Sequence, residues 1–126
     1  MNAYLPTPMS IVEARLELPS VFTFTFAPAG GFGFQPGQFN MLYVHGVGEV
    51  PISISGDPAQ PERLVHTIRA VGTVTKAMQP LAAGDMLGVR GPYGNPWPIE
   101  EVRGRDVVFI AGGLGLAPLR PAILQV

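Results

Sequence analysis

Short stretches of this chain alternate between hydrophobic and polar residues, as strands with one buried face do. From 12 to 18 apolar residues alternate with charged ones, and from 22 to 26 three phenylalanines alternate with two threonines. Gly, Pro and Asp separate these stretches from later apolar runs, as they do at turns. The pattern predicts six short strands, over 12–18, 22–26, 38–44, 50–55, 64–71 and 86–90.

Two helical segments and one further strand complete the prediction. A short helix is expected at 76–78, with a capping hydroxyl at its start and Pro80 beyond its end. Near the end of the sequence, 107–111 is a continuous apolar run of β-forming residues, which indicates a strand buried on both faces. A glycine turn and a helical run follow it. Strand, turn and helix in that order are typical of the opening of an α/β unit.

Short antiparallel strands favour a closed barrel, because closure removes the exposed edges. The predicted fold is therefore all-β, a six-stranded antiparallel Greek-key barrel with one short helix, followed by the first strand-turn-helix of an α/β domain. The expected domains are 1–103 for the barrel and 104–126 for the start of the second domain. Because a buried parallel strand needs parallel neighbours and covering helices, the second domain is expected to be truncated here.

Composition narrows the classes of function. With 16 Gly and 14 Pro in 126 residues, the chain suits short strands and tight turns better than a helical bundle. A formal net charge of -1 provides no basic surface for nucleic acid or anionic lipid. The chain has no cysteine, and two histidines alone make a poor metal site, so no metal is expected. Without an apolar run of spanning length or a signal-peptide pattern, the predicted location is cytoplasmic.

The glycine turn is a candidate anion site. Glycines allow a ligand to approach the backbone, and the helix behind them offers free NH groups and a partial positive charge. A nucleotide phosphate is the predicted ligand of Gly112, Gly113 and Gly115. The alternative is a strand-to-helix turn without a ligand. The spacing differs from the dinucleotide fingerprint, which has glycines at its first, third and sixth positions.

Five short motifs follow one another along the chain. They are Pro-Gly-Gln-Phe at 36–39, Pro-Ile-Ser at 51–53, Gly-Thr-Val-Thr at 72–75, Gly-Pro-Tyr-Gly at 91–94 and Gly-Gly-Leu-Gly-Leu-Ala-Pro-Leu at 112–119. Each is weak alone, but the ordered set resembles the ferredoxin-NADP reductase superfamily over nearly the whole chain. Within it, the sequence is most similar to the electron-transfer subunit of dihydroorotate dehydrogenase and to the gamma subunits of cytoplasmic NiFe hydrogenases and sulfhydrogenases.

This resemblance implies an FAD-binding barrel followed by an NAD(P)-binding domain, with hydride passing from the nicotinamide to the flavin. It implies a flavin-dependent NAD(P)H oxidoreductase component that passes electrons through FAD to an iron-sulfur centre. Catalytic or iron-sulfur subunits would be its partners. In the similar subfamilies a [2Fe-2S] cluster is held by cysteines near the C-terminus, so it would belong to a missing C-terminal part. The fragment is expected to be inactive alone.

The family's flavin motif, Arg-x-Tyr-Ser, corresponds to Val50, Pro51, Ile52 and Ser53. In the family the arginine faces the pyrophosphate and the tyrosine packs on the ring system, and both are absent here. Ser53 keeps the hydroxyl that in the family can hydrogen-bond flavin N5, the atom that accepts hydride, so it is the predicted catalytic residue. The alternative is that Ser53 and Ser55 form the wet face of a strand.

The missing arginine leaves the FAD pyrophosphate without its usual partner. Arg69 is the candidate replacement, because a guanidinium can bind phosphate through two parallel hydrogen bonds. Backbone NH groups at the start of the short helix would complete the site. The alternative is an ordinary surface arginine. The predicted cofactor contacts in this region are Thr67, Ile68, Arg69, Gly72, Val74 and Thr75.

Other residues and another function class are also considered. His66 lies on the opposite strand face from Arg69 and is expected to be a packed core residue, since hydride transfer to a flavin needs no side-chain base. Tyr93 and Trp97 would either cover the flavin or pack at the interface between the two domains. The second function class is a non-catalytic small barrel that binds another molecule. Such modules usually have a basic, aromatic face, which a chain with one lysine does not favour.

Some properties stay open at this level. The residue that would distinguish NAD from NADP lies beyond Val126, and the terminal electron acceptor is not encoded in these motifs. The unpaired edge of the tail strand favours self-association into a homo-oligomer.

Overall fold

Six antiparallel strands form one sheet in the spatial order β4-β3-β6-β1-β2-β5. The structure is a computed structural model, and it describes residues 4–126. All six predicted strands are present, and the all-β antiparallel class is confirmed. The elements are β1 (Thr7–Leu18), β2 (Val21–Phe26), β3 (Phe39–Val44), β4 (Gly48–Ser53), β5 (Leu64–Arg69), β6 (Met86–Tyr93), α1 (Thr73–Met78) and α2 (Leu116–Gln125), with 3₁₀ turns at Glu100–Val102 and Gly113–Gly115.

The core forms around β2, which is buried along its whole length. Phe24 and Phe26 are at most 1% exposed, and they pack with apolar residues from the other strands and from α1. Burying an aromatic side chain of this size stabilises a fold by about 2–3 kcal/mol. The phenylalanine and threonine faces of β2 alternate as predicted, because successive side chains of a strand point to opposite faces, and the two threonines are buried as well.

Strand β1 differs from the prediction. It begins at Thr7, and the apolar face expected to be buried between 12 and 18 is largely exposed, with Leu16 67% and Leu18 61% exposed. The reason is the pairing of β1 with β6, which extends only from Thr7 to Ser10. Beyond Ile11, β1 has β2 on one edge and no strand on the other, so its apolar side chains lack a covering layer.

The sheet is not closed into a complete barrel, which corrects that part of the prediction. Strands β4 and β5 are the two ends of the sheet, and they meet at one isolated bridge between Ile54 and His66. One backbone bond, from Ser55 N to Val65 O at 2.9 Å, extends this junction. Because Pro51 has no N–H, the free edge of β4 cannot offer a full row of donors. An opening bounded by the two strand edges results, and it is called the β4–β5 opening below.

The tail also differs from the prediction. The buried strand expected at 107–111 is not formed, and Val108 and Ile110 are 83% and 87% exposed. Among residues 4–126 no strand runs beside this segment, so its backbone has no ladder and its side chains no apolar cover. The glycine turn and the helix after it are present, the helix as α2. The predicted boundary between 1–103 and 104–126 stays a prediction.

Candidate functional site

A cleft of about 750 Å³ lies between α2 and the face of β1, β2 and β5 that points away from the core. Three of the sequence-predicted cofactor residues line it: Thr67 and Arg69 from β5, and Gly113 from the glycine turn. Its volume falls within the range of about 300–1,000 Å³ that is usual for small-molecule and cofactor sites. It is called the α2 cleft below.

A row of hydroxyl groups crosses the α2 cleft from β5 to β1. Thr67 Oγ1 lies 3.0 Å from Ser55 Oγ and 3.2 Å from Thr23 Oγ1, and Thr23 donates to Glu17 at 2.9 Å. Thr23 and Thr67 face each other because they are register partners in the β2–β5 ladder. The bond from Thr23, followed by one from Arg15, lowers the pKa of Glu17 below its ordinary value. The cleft therefore has a polar floor that can match hydroxyl or carbonyl groups of a ligand.

Two arginines in the α2 cleft have no carboxylate partner among residues 4–126. Arg69 lies beside the glycine turn, with Nη2 3.8 Å from the position a Cβ on Gly113 would take. Arg120, from α2, donates to the carbonyl oxygen of Ser55 at 2.6 Å. Their unneutralised charges favour an anionic ligand at this side of the cleft. The other two arginines that line it form ion pairs, Arg15 with Glu17 and Arg63 with Glu13.

The residues that correspond to the flavin motif lie outside the α2 cleft, along β4. Val50 and Ile52 are partly buried and pack against the core. Pro51 is exposed, and Ser53 is half-buried next to the bridge that joins β4 to β5. These four residues therefore lie on the strand that borders the β4–β5 opening, and Val50 and Ile52 are only partly covered by the core.

The junction of β4 and β5 is held by a buried histidine. His66 is fully buried, and its Nδ1 lies 3.0 Å from the carbonyl oxygen of Ser53, to which it must donate. Its Nε2 then accepts from Asn40 Nδ2 at 3.1 Å. Burial lowers the pKa of His66 to about 4, although the bond to Ser53 acts in the opposite direction. His66 is thus a neutral core residue, as predicted, and it fixes the carbonyl of Ser53.

The polar groups of the turn before α1 form hydrogen bonds with one another. Thr75 Oγ1 accepts from the backbone N–H of Val71 at 3.0 Å and of Gly72 at 2.9 Å. The helix begins at Thr73, so Thr75 caps it from inside the first turn rather than from the position before it. Val74 packs toward β4, because its Cγ2 lies 3.4 Å from where a Cβ on Gly48 would be. A ligand here would therefore meet backbone groups rather than the Thr75 hydroxyl.

The predicted site residues are thus divided among three places: the α2 cleft, the β4–β5 opening and the turn before α1. Arg69 lines the α2 cleft and Thr75 does not, and the phosphate site that they were expected to share stays a prediction. Ile68 is 0% exposed and belongs to the core, so its side chain is not available to a ligand. Gly112 and Gly115 are exposed at the rim of the glycine turn, with no atom within 4 Å of an added Cβ.

Sequence reasoning missed the role of Arg120. It lies on α2, and the side chain reaches back to the end of β4. The only sequence signal was its place one helical turn after the glycines. Trp97, considered for the interface between the two domains, donates from its ring nitrogen to the carbonyl oxygen of Pro118 in α2 at 3.0 Å.

Two kinds of feature are absent from the described range. Within residues 4–126, no three histidine, aspartate or glutamate side chains are grouped so that they could hold a metal ion. In the same part of the chain, no helix has the length and apolar character needed to cross a membrane.

The fold defines the class of protein. The six-stranded sheet matches the FAD-binding barrel of ferredoxin-reductase-like proteins. It superimposes on a cytochrome P450 reductase from Amycolatopsis with a TM-score of 0.82 at 28% identity, covering 96% of this chain and 38% of that one. A ferredoxin-NADP⁺ reductase from Neisseria gonorrhoeae with bound FAD and NADP gives a TM-score of 0.79 at 22% identity, over 93% of this chain and 50% of that one.

Sequence comparison narrows the class. The chain is 45% identical over 116 residues to the gamma subunit of sulfhydrogenase 1 from Pyrococcus furiosus, covering 90% of this chain and 40% of the relative. It is 40% identical over 116 residues to a probable electron-transfer subunit of dihydroorotate dehydrogenase B from Methanocella arvoryzae, over 92% of this chain and 42% of that one. No family model matches.

The chain is therefore a homologue of sulfhydrogenase gamma subunits and of dihydroorotate dehydrogenase electron-transfer subunits, and the predicted resemblance is confirmed. It spans about two fifths of the length of these curated relatives.

Proposed function

We propose that this chain is the FAD-binding portion of an oxidoreductase electron-transfer subunit, which passes electrons between NAD(P)H and an iron-sulfur centre through FAD. The observation that carries the proposal is the α2 cleft, where two unneutralised arginines meet a glycine turn on an FAD-domain fold. FAD would supply the redox chemistry, as a two-electron acceptor that can release single electrons. The chain's own residues would bind and orient it.

The residues present fit two parts of such a cofactor, its pyrophosphate and its flavin ring. A pyrophosphate needs positive charge and N–H donors, which Arg69 and Arg120 supply beside the glycine turn. A ring system needs an apolar surface, and Val50 and Ile52 form one at the edge of β4. Ser53, half-buried beside the bridge, would offer its hydroxyl to flavin N5.

Backbone N–H groups at the turn before α1 would complete the phosphate contacts. The first N–H groups of a helix have no partner within it, so those of Val74 and Thr75 are available although the Thr75 hydroxyl is not. Gly72, which precedes the helix, leaves room for close approach. Thr67 would contribute a hydroxyl from the floor of the α2 cleft.

The division of the chain is part of the proposal. Residues 1–103 would form the FAD domain, and 104–126 would begin an NAD(P)-binding domain. Exposed apolar side chains on this tail support the division, because a soluble chain normally covers such a surface. They are Val108, Ile110, Leu116, Ile123 and Leu124.

The partners would be catalytic or iron-sulfur subunits of a larger complex, since the named relatives are themselves subunits. A [2Fe-2S] cluster would belong to another part of the protein or to such a subunit, because this chain has no cysteine. Cytoplasmic location, self-association through the tail and inactivity of the fragment alone stay predictions from the sequence.

Replacement of Arg69 by methionine tests the phosphate contact. Because charge-assisted hydrogen bonds contribute about 1.5–3 kcal/mol, we expect the variant to bind FAD about 10-fold to 100-fold more weakly. The measurement is quenching of FAD fluorescence on titration with protein. Arg63→Met is the matched control, since Arg63 lines the same cleft but has an ion pair with Glu13 at 3.7 Å.

Two results would count against these ideas. Equal FAD affinity of the Arg69→Met and Arg63→Met variants would remove Arg69 from the site. A wild-type chain that leaves FAD fluorescence unchanged at saturating concentration would refute the cofactor itself and favour a non-catalytic barrel.

A further inference from the structure

Helix α2 is attached to the barrel by a small apolar face. Ala117, Pro121 and Ala122 are buried, the last of them only 1% exposed. Small side chains let the helix approach closely, but they bury little area, so apolar contact alone holds it weakly. Two side-chain hydrogen bonds, one from Trp97 and one from Arg120, also hold the helix and fix its orientation.

The first of these bonds comes from Trp97. Its ring N–H donates to Pro118 O in α2 at 3.0 Å, while its backbone N–H donates to Pro36 O in the barrel at 2.7 Å. Gly37 makes room for it: at a φ of +103°, an added Cβ would lie 2.9 Å from Trp97 N and 3.0 Å from the ring Cδ1. The indole is thus held between the 36–39 turn and the first turn of α2.

The second bond comes from Arg120. Its Nη1 donates to Ser55 O at 2.6 Å, one residue beyond the bridge between Ile54 and His66. Ser55 is only 1% exposed, so its carbonyl lies at a rigid point of the barrel. The helix is therefore attached at the place where β4 and β5 come together.

We infer that Trp97 and Arg120 are positioning residues that fix the glycine turn relative to the β4–β5 opening. The two bonds reach different parts of the barrel, so together they oppose both sliding and rotation of α2. The glycine turn is the start of this helix, and Gly113 lies at the rim that Arg69 occupies. Any shift of α2 therefore moves the turn with respect to β4.

The functional part of this inference rests on the proposed function. If a ligand at the glycine turn reacts with a ligand at the β4–β5 opening, the distance between the two bound ligands sets the rate. A displacement of about 1 Å can reduce that rate about 100-fold. Neither Trp97 nor Arg120 needs to touch the reacting atoms. Their effect would pass through the position of the glycine turn.

Hydrogen exchange of this chain tests the attachment without any ligand. In the double variant Trp97→Phe, Arg120→Met, we expect amides of α2 to exchange at least about tenfold faster, while those of β2 stay protected. Arg63→Met is the control, and Arg120→Lys, which keeps one donor, should restore part of the protection. Unchanged exchange of α2 in the double variant would overturn the inference.

The single tryptophan gives a second readout. In Arg120→Met, emission from Trp97, which is 43% exposed in the docked state, should shift further to longer wavelength, because the helix no longer covers the rest of the indole. An unshifted spectrum would show that Arg120 does not hold α2 against Trp97, and would overturn their joint role.

Kinetics of the complete gene product, loaded with FAD, separate positioning from stability. Trp97→Phe, which removes the bond to Pro118 without touching the arginines of the cleft, should reduce the rate of flavin reduction by NADH about 10-fold to 100-fold, with FAD content and the rate with dithionite unchanged. An unchanged rate with NADH would overturn the positioning role. If the wild type binds no FAD, the proposed function fails, whereas the exchange and emission measurements still decide the attachment.

Discussion

Gly91→Ala should prevent the chain from reaching a stable native state. An added Cβ at this position would lie 2.2 Å from Asn40 Oδ1 and 3.2 Å from the backbone oxygen of Phe39. Asn40 is 0% exposed and bonded to His66, so its amide cannot move aside without breaking the junction of β4 and β5. A φ of +147° adds backbone strain for any side chain.

The expected loss in free energy of unfolding is about 4 kcal/mol or more, which is a large share of the stability of a small domain. Urea denaturation followed by circular dichroism measures it. Gly33→Ala is the control, since no atom lies within 4 Å of the added Cβ and the backbone there is not left-handed. A Gly91→Ala protein as stable as Gly33→Ala would mean that Asn40 is not packed against Gly91.

Acidification should destabilise the chain through His66 before most carboxylates respond. The folded pKa of His66 is about 4, whereas an ordinary histidine has a pKa of 6.5. Between these values the unfolded state binds more protons than the folded state, so stability rises with pH across this window. The contribution of His66 to stability is complete above about pH 6.5 and falls as the pH drops toward 4. The total change from this residue is about 3 kcal/mol.

Chemical denaturation at several pH values between 4 and 7 tests this expectation. His66→Gln keeps hydrogen-bonding groups but cannot titrate, so the slope of stability against pH in this window should largely disappear. The pKa values of Glu17 and Glu49 are lowered below the ordinary 4.5, so their contributions to stability are complete above pH 4.5 and are lost as the pH falls below it. An unchanged slope in His66→Gln would mean that another group governs the acid response.

Strands β1 and β2 show what local pattern can and cannot predict. Both alternate polar and apolar residues, and both were expected to bury one face. Phe24 is buried because its face packs into the core, whereas Leu16 on the neighbouring strand is 67% exposed because the core does not extend over that part of β1. Alternation specifies which side chains share a face. Whether another layer covers that face depends on contacts distant in sequence.

Formation of a strand in the tail also depends on contacts distant in sequence. The apolar run at 107–111 has the composition of a buried strand, but a strand forms only beside a partner, and the described residues supply none. Likewise, closure of the barrel follows from strand number only when both end strands can pair. Pro51 on β4 removes one of the donors that such pairing needs.

The candidate site could be predicted in part. Alternation along one strand predicted Thr67 and Arg69, and the glycine motif predicted Gly113; these three residues do line one cleft. Arg69 lines this cleft and Thr75 does not, so the phosphate site that they were expected to share stays a prediction. Arg120 was missed because its partner is a backbone oxygen, which has no signature in sequence, 65 positions away.

The link between β6 and α2 has a consequence for how the helix is retained. Docking of α2 is intramolecular, because residues 94–115 tether the helix to β6 at an effective concentration of the order of millimolar. A face of two alanines and a proline with two hydrogen bonds is therefore sufficient, although the same contacts would scarcely join separate molecules. Proteolytic cleavage at the exposed residues Val108 or Ile110 would make docking bimolecular, and α2 would then dissociate at micromolar protein.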